Sequence, residues 1–264
     1  MRPPMTPSFD LRVAPIDRVI PHEEVEDGRV ERLVTRLAAD GLLVNPPLAA
    51  TTEDAFVVLD GATRVAALGR LGCSHVVVQA VDAASLRLET WCHVVRGIDP
   101  DELASILERV PGAHLRTGPH HGLFRVHLTD GRVLVAEAWE DADPFAVIGD
   151  LVAAYQVRGP IARTLDPNPR AARAEHPDFT ALEVFPRLDL DQVVDAARSG
   201  RRLPAGITRF IASGRVLRLD AELSMLRPGL EDAERDRWLA ELVAARRARG
   251  AVRYYPESVF VLDE

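Results

Sequence analysis

The stretch AFVVLDG (55–61) is an apolar run that stops on Asp60-Gly61 and passes at once into the Ala- and Leu-rich ATRVAALGRLG (62–72). Buried-type residues bounded by turn signals predict a strand. Thr63 to Leu71 has helix-forming composition, with Gly72 as the residue that stops it. HVVVQAV (75–81) predicts the next strand. Upstream, Val30, Leu33, Val34 and Leu37 recur at helical spacing up to Gly41. LRVAPIDRVI (11–20) alternates like a strand interrupted at Pro15, and Asn45-Pro46-Pro47 marks a turn before a short strand. Strands alternating with helices in this way constrain the first part of the chain to a small α/β unit.

A second mixed unit is expected from Asp99-Pro100 onward. DPDELASILERV (99–110) predicts a capped helix ending at Pro111-Gly112. Two alternating runs flank Thr129-Asp130-Gly131, which predicts a β-hairpin. Further helices are expected at 143–156, 189–199 and 231–249. GPIARTLDPNPRAARAEHPDF (159–179) reads as loop, LPAGITRFIASGRVLRLD (203–220) as a loop followed by a strand, and SVFVLD (258–263) as a last strand. Residues 1–9 are Pro-rich and expected to be loosely attached.

Composition removes several classes of function. The 264 residues carry a formal net charge of −8, and all 32 basic side chains are arginine. A chain without lysine has neither a P-loop nor a Schiff-base lysine. The acidic balance, with no basic arm, argues against sequence-independent nucleic-acid binding. No apolar stretch approaches the roughly 20 residues of a membrane span, and the N-terminus lacks the apolar core of a signal peptide, so a cytoplasmic location is expected. Cys73 and Cys92 are expected to be buried small hydrophobes rather than a disulfide or zinc ligands. His114, His120 and His121 have no partner at a ligand spacing.

The corner Asp60-Gly61-Ala62-Thr63-Arg64 has two readings. A carboxylate at a strand end, a glycine and a helix N-terminus can cradle a phosphate, with Arg64 adding bidentate contacts and Asp60 holding magnesium. The same residues also describe a plain N-capped turn with a solvated arginine. His22-Glu23-Glu24 is either a solvated acidic loop or the source of a general base. Trp91 and His93, two apart, would share one face of a strand, with core packing the default. Thr208, Arg209 and Arg215 form a polar cluster able to bind a carboxylate or phosphate.

Taken in order, IDRVIPHEEVE, NPPL and FVVLDGATRVAALGRLGCSHVVVQ resemble the ParB/sulfiredoxin-like domain of free L-serine kinases. ETW (89–91), LPAGITRF with ASGR (203–215) and YPESVFVLDE (255–264) extend the likeness, most closely to the branch serving staphyloferrin B siderophore biosynthesis. The resemblance implies an α/β (α+β) protein: a ParB/sulfiredoxin-like nucleotide-binding domain over 10–97, then a mixed domain over 98–264 that completes a serine pocket.

It also implies roles. Glu23 matches the catalytic glutamate that takes the serine hydroxyl proton, and Asp60 the catalytic corner aspartate near the magnesium-nucleotide. Gly61, Ala62, Thr63 and Arg64 match the nucleotide-phosphate corner, while Trp91, Thr208 and Arg209 match the substrate pocket. Implied partners are L-serine, ATP or ADP as donor, Mg²⁺, and a downstream pyridoxal-phosphate enzyme that consumes O-phospho-L-serine, for instance toward 2,3-diaminopropionate. The family corner commonly reads Asp-Gly-X-His-Arg or Asp-Gly-His-His-Arg, whereas this chain has Ala62 and Thr63. Threonine can hydrogen-bond a phosphate oxygen but supplies neither an imidazole acid nor a positive charge. The competing readings are a ParB-like nucleotide-sensing or DNA-binding regulator, with Arg246, Arg247 and Arg249 as a partner face, and a non-catalytic amino-acid sensor.

Overall fold

The computed structural model describes residues 8–82, 86–118 and 122–255. The expected final strand over 258–263, the pair His120-His121 and most of the Pro-rich start lie outside them. Two compact units emerge. The first contains Val25–Arg87 and Phe210 onward, together with the start of the chain; the second contains His22–Glu24 and Leu88–Arg209. This differs from the division at 97/98 expected from sequence. The chain returns to the first unit at Phe210, and His22-Glu23-Glu24 belongs to the second.

In the first unit five strands form a mixed sheet in the order β1 (Asp10–Pro15), β6 (His75–Val81), β4 (Leu48–Thr51), β5 (Phe56–Asp60), β2 (Val19–Pro21). Helices α1 (Asp27–Asp40) and α2 (Ala62–Arg70) supply Val30, Leu37, Val65 and Leu68 to its core. Returning residues Leu219, Leu223, Leu226 and Leu239 complete that core, which is why the C-terminal part of the chain belongs here. The strand β15 (Ala221–Glu222) pairs with β3 (Leu42–Leu43). Helix α7 (Asp232–Ala248) is anchored by Arg235, whose buried guanidinium donates to the carbonyls of Met225, Arg227 and Leu230. Three carbonyl acceptors satisfy a charge that burial alone would make costly.

The second unit holds an antiparallel six-stranded sheet in the order β12 (Ile161–Thr164), β8 (Cys92–Arg96), β13 (Phe179–Val184), β10 (Phe124–Leu128), β11 (Val133–Ala138), β9 (Ala113–Thr117). The β10–β11 hairpin pairs Phe124 with Ala136 and Val126 with Leu134, as the alternation predicts, and Gly131 takes a φ of +93° in its turn. Helix α3 (Pro100–Glu108) is capped by Asp99 and α4 (Pro144–Gln156) by Asp143; both place proline at the start. Helix α6 (Leu190–Arg198) falls within the expected span.

The segment expected to be loop contains β12, α5 (Pro169–Glu175) and the start of β13. Five of the six residues of β13 are buried, Thr180 and Glu183 among them, so no alternation betrays the strand. Strands β7 (Leu86–Thr90) and β14 (Thr208–Ala212) pair with each other. Cys73 and Cys92 are buried free thiols, and burial raises both pKa values, that of Cys92 to about 11. Among the described residues no helix is long and apolar enough to cross a membrane.

Candidate active site

In the first unit, β5 ends on Asp60 and Gly61 occupies the N-cap of α2 with φ +99°. Asp60 is therefore not the cap. Its Oδ2 instead accepts from two guanidiniums, Arg64 at 2.7 Å and Arg215 at 2.6 Å. Burial would raise the Asp60 pKa, but the charges and hydrogen bonds of Arg64 and Arg215 outweigh it and hold the carboxyl below its usual range. Arg64 also donates to the carbonyls of Asn45 at 2.9 Å and Pro46 at 3.4 Å. It is a built part of the corner, not a solvated side chain.

Gly61 is required twice over. Its backbone is left-handed, and a Cβ there would lie 2.8 Å from Nε and Nη2 of Arg64. The corner thus holds one carboxylate and two guanidiniums beside the first turn of a helix, whose leading amides have no helical acceptor. Arg215 Nε is buried with no hydrogen-bond partner among the described residues. The balance of charge favours an anion. Asp60 is a single carboxylate, and no group of three His, Cys, Asp or Glu suited to a metal ion occurs among the described residues. That inventory fits magnesium only as a phosphate-bound ion, which keeps one or two protein carboxylates.

The second unit gathers the other predicted residues. His22 and Glu23 are not a solvated loop. His22 is buried, and its Nε2 lies 2.7 Å from Thr208 Oγ1. Glu23 bridges to Leu203 in parallel register, while the Gly206 amide donates to its Oε2 at 3.1 Å. A half-buried carboxylate is thereby fixed by a backbone donor 183 residues away. Gly206 has φ +82°, and a Cβ on it would strike the Arg163 guanidinium at 2.0 Å.

Trp91 lies at the break between β7 and β8, not on a strand face shared with His93. Its amide donates to the Ile207 carbonyl at 2.8 Å, and the Arg209 guanidinium sits 5.4 Å from its ring centroid. Arg209 also donates to Glu89 at 2.7 Å. His93 is instead a core residue. The polar cluster expected of Thr208, Arg209 and Arg215 divides: Thr208 meets His22, Arg209 meets Glu89 and Trp91, and Arg215 joins Asp60. Glu89, Gly206 and Asn45 were given no role from sequence, although each lies in a motif noted there: ETW, LPAGITRF and NPPL. His114 pairs with Glu137 at 2.9 Å.

These features define a mixed α/β protein of two units, with an anion-attracting corner in one and, in the other, a held carboxylate and a partly exposed ion pair. Its fold is that of solved serine kinase structures. Staphylococcus aureus SbnI with a C-terminal truncation aligns with a TM-score of 0.73 and 24% identity, covering 90% of this chain and 97% of that one. A free serine kinase in complex with AMP aligns at 0.71 and 18% identity over 84% of this chain and 95% of that one.

In sequence, the chain is 26% identical to the ATP-dependent L-serine kinase SbnI of Staphylococcus aureus over 258 residues, 96% of this chain and 97% of that protein. It is 29% identical over 86 residues to the ATP-dependent L-serine kinase of Staphylothermus marinus, 31% of this chain and 34% of that protein. No protein-family model matches. The resemblance read from motifs therefore holds along nearly the whole chain.

Proposed function

We propose that this protein is a free L-serine kinase that transfers a phosphoryl group from ATP or ADP to the serine hydroxyl, giving O-phospho-L-serine. The observation that carries the reading is Glu23, a half-buried carboxylate held by the Gly206 amide in the same unit as the Arg209–Glu89 pair and Trp91. The full-length similarity to SbnI supports it.

Serine is a zwitterion. Arg209 and Glu89, 2.7 Å apart and partly exposed, offer one charge to its carboxylate and the opposite charge to its ammonium group. Trp91 stacks on Arg209 and limits its rotamers. Thr208, bonded to His22, orients the strand that carries Arg209.

In the reaction Glu23 accepts the hydroxyl proton as the serine oxygen attacks the terminal phosphorus. The bond to the bridging oxygen breaks, releasing ADP from ATP or AMP from ADP. The Asp60 corner holds the phosphates. Ala62 and Thr63 begin the helix, Gly61 permits close approach, and Arg64 and Arg215 neutralise charge. Asp60 is the residue that would hold Mg²⁺, which when bound supplies further charge neutralisation. Arg64 and Arg215 keep Asp60 ionised, as a metal ligand must be.

O-phosphoserine has an activated β-substituent, so a pyridoxal-phosphate enzyme is the class that would consume it. Of the three arginines a regulator reading would use, Arg246 donates instead to the Arg218 and Leu219 carbonyls. The test is incubation of the purified chain with L-serine, Mg²⁺ and either ATP or ADP, followed by mass spectrometry for phosphoserine. Parallel reactions with threonine and homoserine define the acceptor. Absence of phosphoserine with both donors overturns the proposal.

A further inference from the structure

Beneath Gly206 the second unit buries three polar side chains that the reaction above does not use. His93 on β8 is 2% exposed; Tyr155 on α4 and Glu183 on β13 are fully buried. Glu183 pairs directly with His93 across the β8–β13 ladder. His93 Nδ1 lies 2.7 Å from the Tyr155 hydroxyl, and Nε2 lies 3.2 Å from the Gly206 carbonyl. Phe185 clamps the imidazole edge-on, with ring centroids 5.0 Å apart.

The geometry points to a buried hydrogen-bonded chain from Tyr155 through His93, whose task is to hold Gly206 and, through the Gly206 amide, to set the Glu23 carboxylate. This rests on the reading of Glu23 as the base, and it makes Tyr155 and His93 positioning residues.

The proton assignment follows from which atoms can only accept. The Gly206 carbonyl has no proton, so His93 Nε2 must donate to it. Burial, with a further push from the Arg163 charge, lowers the His93 pKa to about 4 despite the bond to Gly206, so the ring is neutral and Nδ1 is bare. The Tyr155 hydroxyl must then donate to Nδ1. The Gly206 N–H in turn donates to Glu23 Oε2. Glu183 lies opposite His93 on the neighbouring strand, and neither of its oxygens meets hydrogen-bond geometry among the described residues. Burial raises its carboxyl to about 8. Arg163 closes the other side: it donates to the Ala205 carbonyl at 3.3 Å and packs where a Gly206 side chain would be.

The direct test is ¹⁵N NMR of the histidine-labelled full chain. His93 is expected as the neutral Nε2–H tautomer and to remain neutral at pH 5.5. An Nδ1–H tautomer or an imidazolium there overturns the chain. A Tyr155→Phe variant removes the donor to Nδ1. It should lower kcat about 10- to 100-fold with KM for the nucleotide unchanged, and shift the Gly206 amide resonance. Glu183→Gln changes a side chain outside this hydrogen-bonded chain, so it should retain kcat within about 3-fold. A folded Tyr155→Phe protein with the wild-type kcat and Gly206 shift overturns the inference; if that variant does not fold, the wild-type tautomer decides. Should the wild-type protein make no phosphoserine, the base reading fails while the tautomer and the Gly206 shift still test the chain.

Discussion

Replacing Gly61 by alanine perturbs the corner through two separable costs. Alanine at φ +99° pays a left-handed backbone penalty of about 1–2 kcal/mol. Its Cβ would also lie 2.8 Å from Arg64 Nε and Nη2 and 2.9 Å from Cζ, so the guanidinium must leave. Arg64 then loses Asp60 and the Asn45 carbonyl. Hydrogen bonds to charged groups are worth about 1.5–3 kcal/mol, and solvent screening of the half-exposed Asp60 brings the combined loss to about 1–2 kcal/mol. The total is about 2–4 kcal/mol. Gly41→Ala supplies the control: its φ is +67°, and nothing lies within 4 Å of the added Cβ, so only the backbone penalty applies. Urea denaturation should therefore rank Gly61→Ala below Gly41→Ala by about 1–2 kcal/mol, and calorimetric titration with ATP should show at least about a 10-fold loss of affinity for Gly61→Ala alone. Equal stability losses, with nucleotide affinity intact, would refute the argument.

Three further outcomes are expected. Arg215→Ala should raise KM for the nucleotide about 10-fold and leave that for serine unchanged, since the Arg215 guanidinium donates to Asp60 in the corner; steady-state kinetics checks it. On the proposed phosphate corner, Thr63→Ala should keep activity within about 3-fold, because backbone amides and guanidiniums would carry the phosphate, whereas Thr63→His should raise kcat by adding an imidazole. Glu183 is protonated in both states below about pH 4.5, and only the unfolded chain loses that proton up to about pH 8. Its contribution to stability therefore falls as pH rises between those values, by up to about 5 kcal/mol at ~1.4 kcal/mol per pH unit. Glu183→Gln should match the wild type near pH 4.5 and exceed it at pH 8, measured by urea midpoints; parallel profiles would contradict this.

Much of the fold was legible because local chemistry and tertiary role agree. Asp99-Pro100 and Asp143-Pro144 cap helices where they were expected, and Thr129-Asp130-Gly131 turns the hairpin. The strand β13 was not legible, since a strand buried on both faces shows no alternation and its Glu183 looks like a surface residue. The site was legible in its residue types more than in its arrangement. Glu23 and the Gly206–Arg209 segment are joined by long-range bridges that no spacing rule reports, and Asp60 looked like a helix cap until Arg215, 155 positions onward, was found on it. The division at 97/98 failed to anticipate the return of the chain at Phe210, because Leu219, Leu223 and Leu226 carry no mark of which core they fill.

Phosphoryl transfer as proposed depends most directly on Glu23. A single-turnover, rapid-quench reaction with γ-³²P-labelled ATP, Mg²⁺ and L-serine compares the wild-type chain with Glu23→Gln. Wild-type protein should move the label onto serine, and the variant should bind both substrates with unchanged affinity yet transfer at least about 100-fold more slowly. Label released only as inorganic phosphate, or a variant that transfers at the wild-type rate, would contradict it.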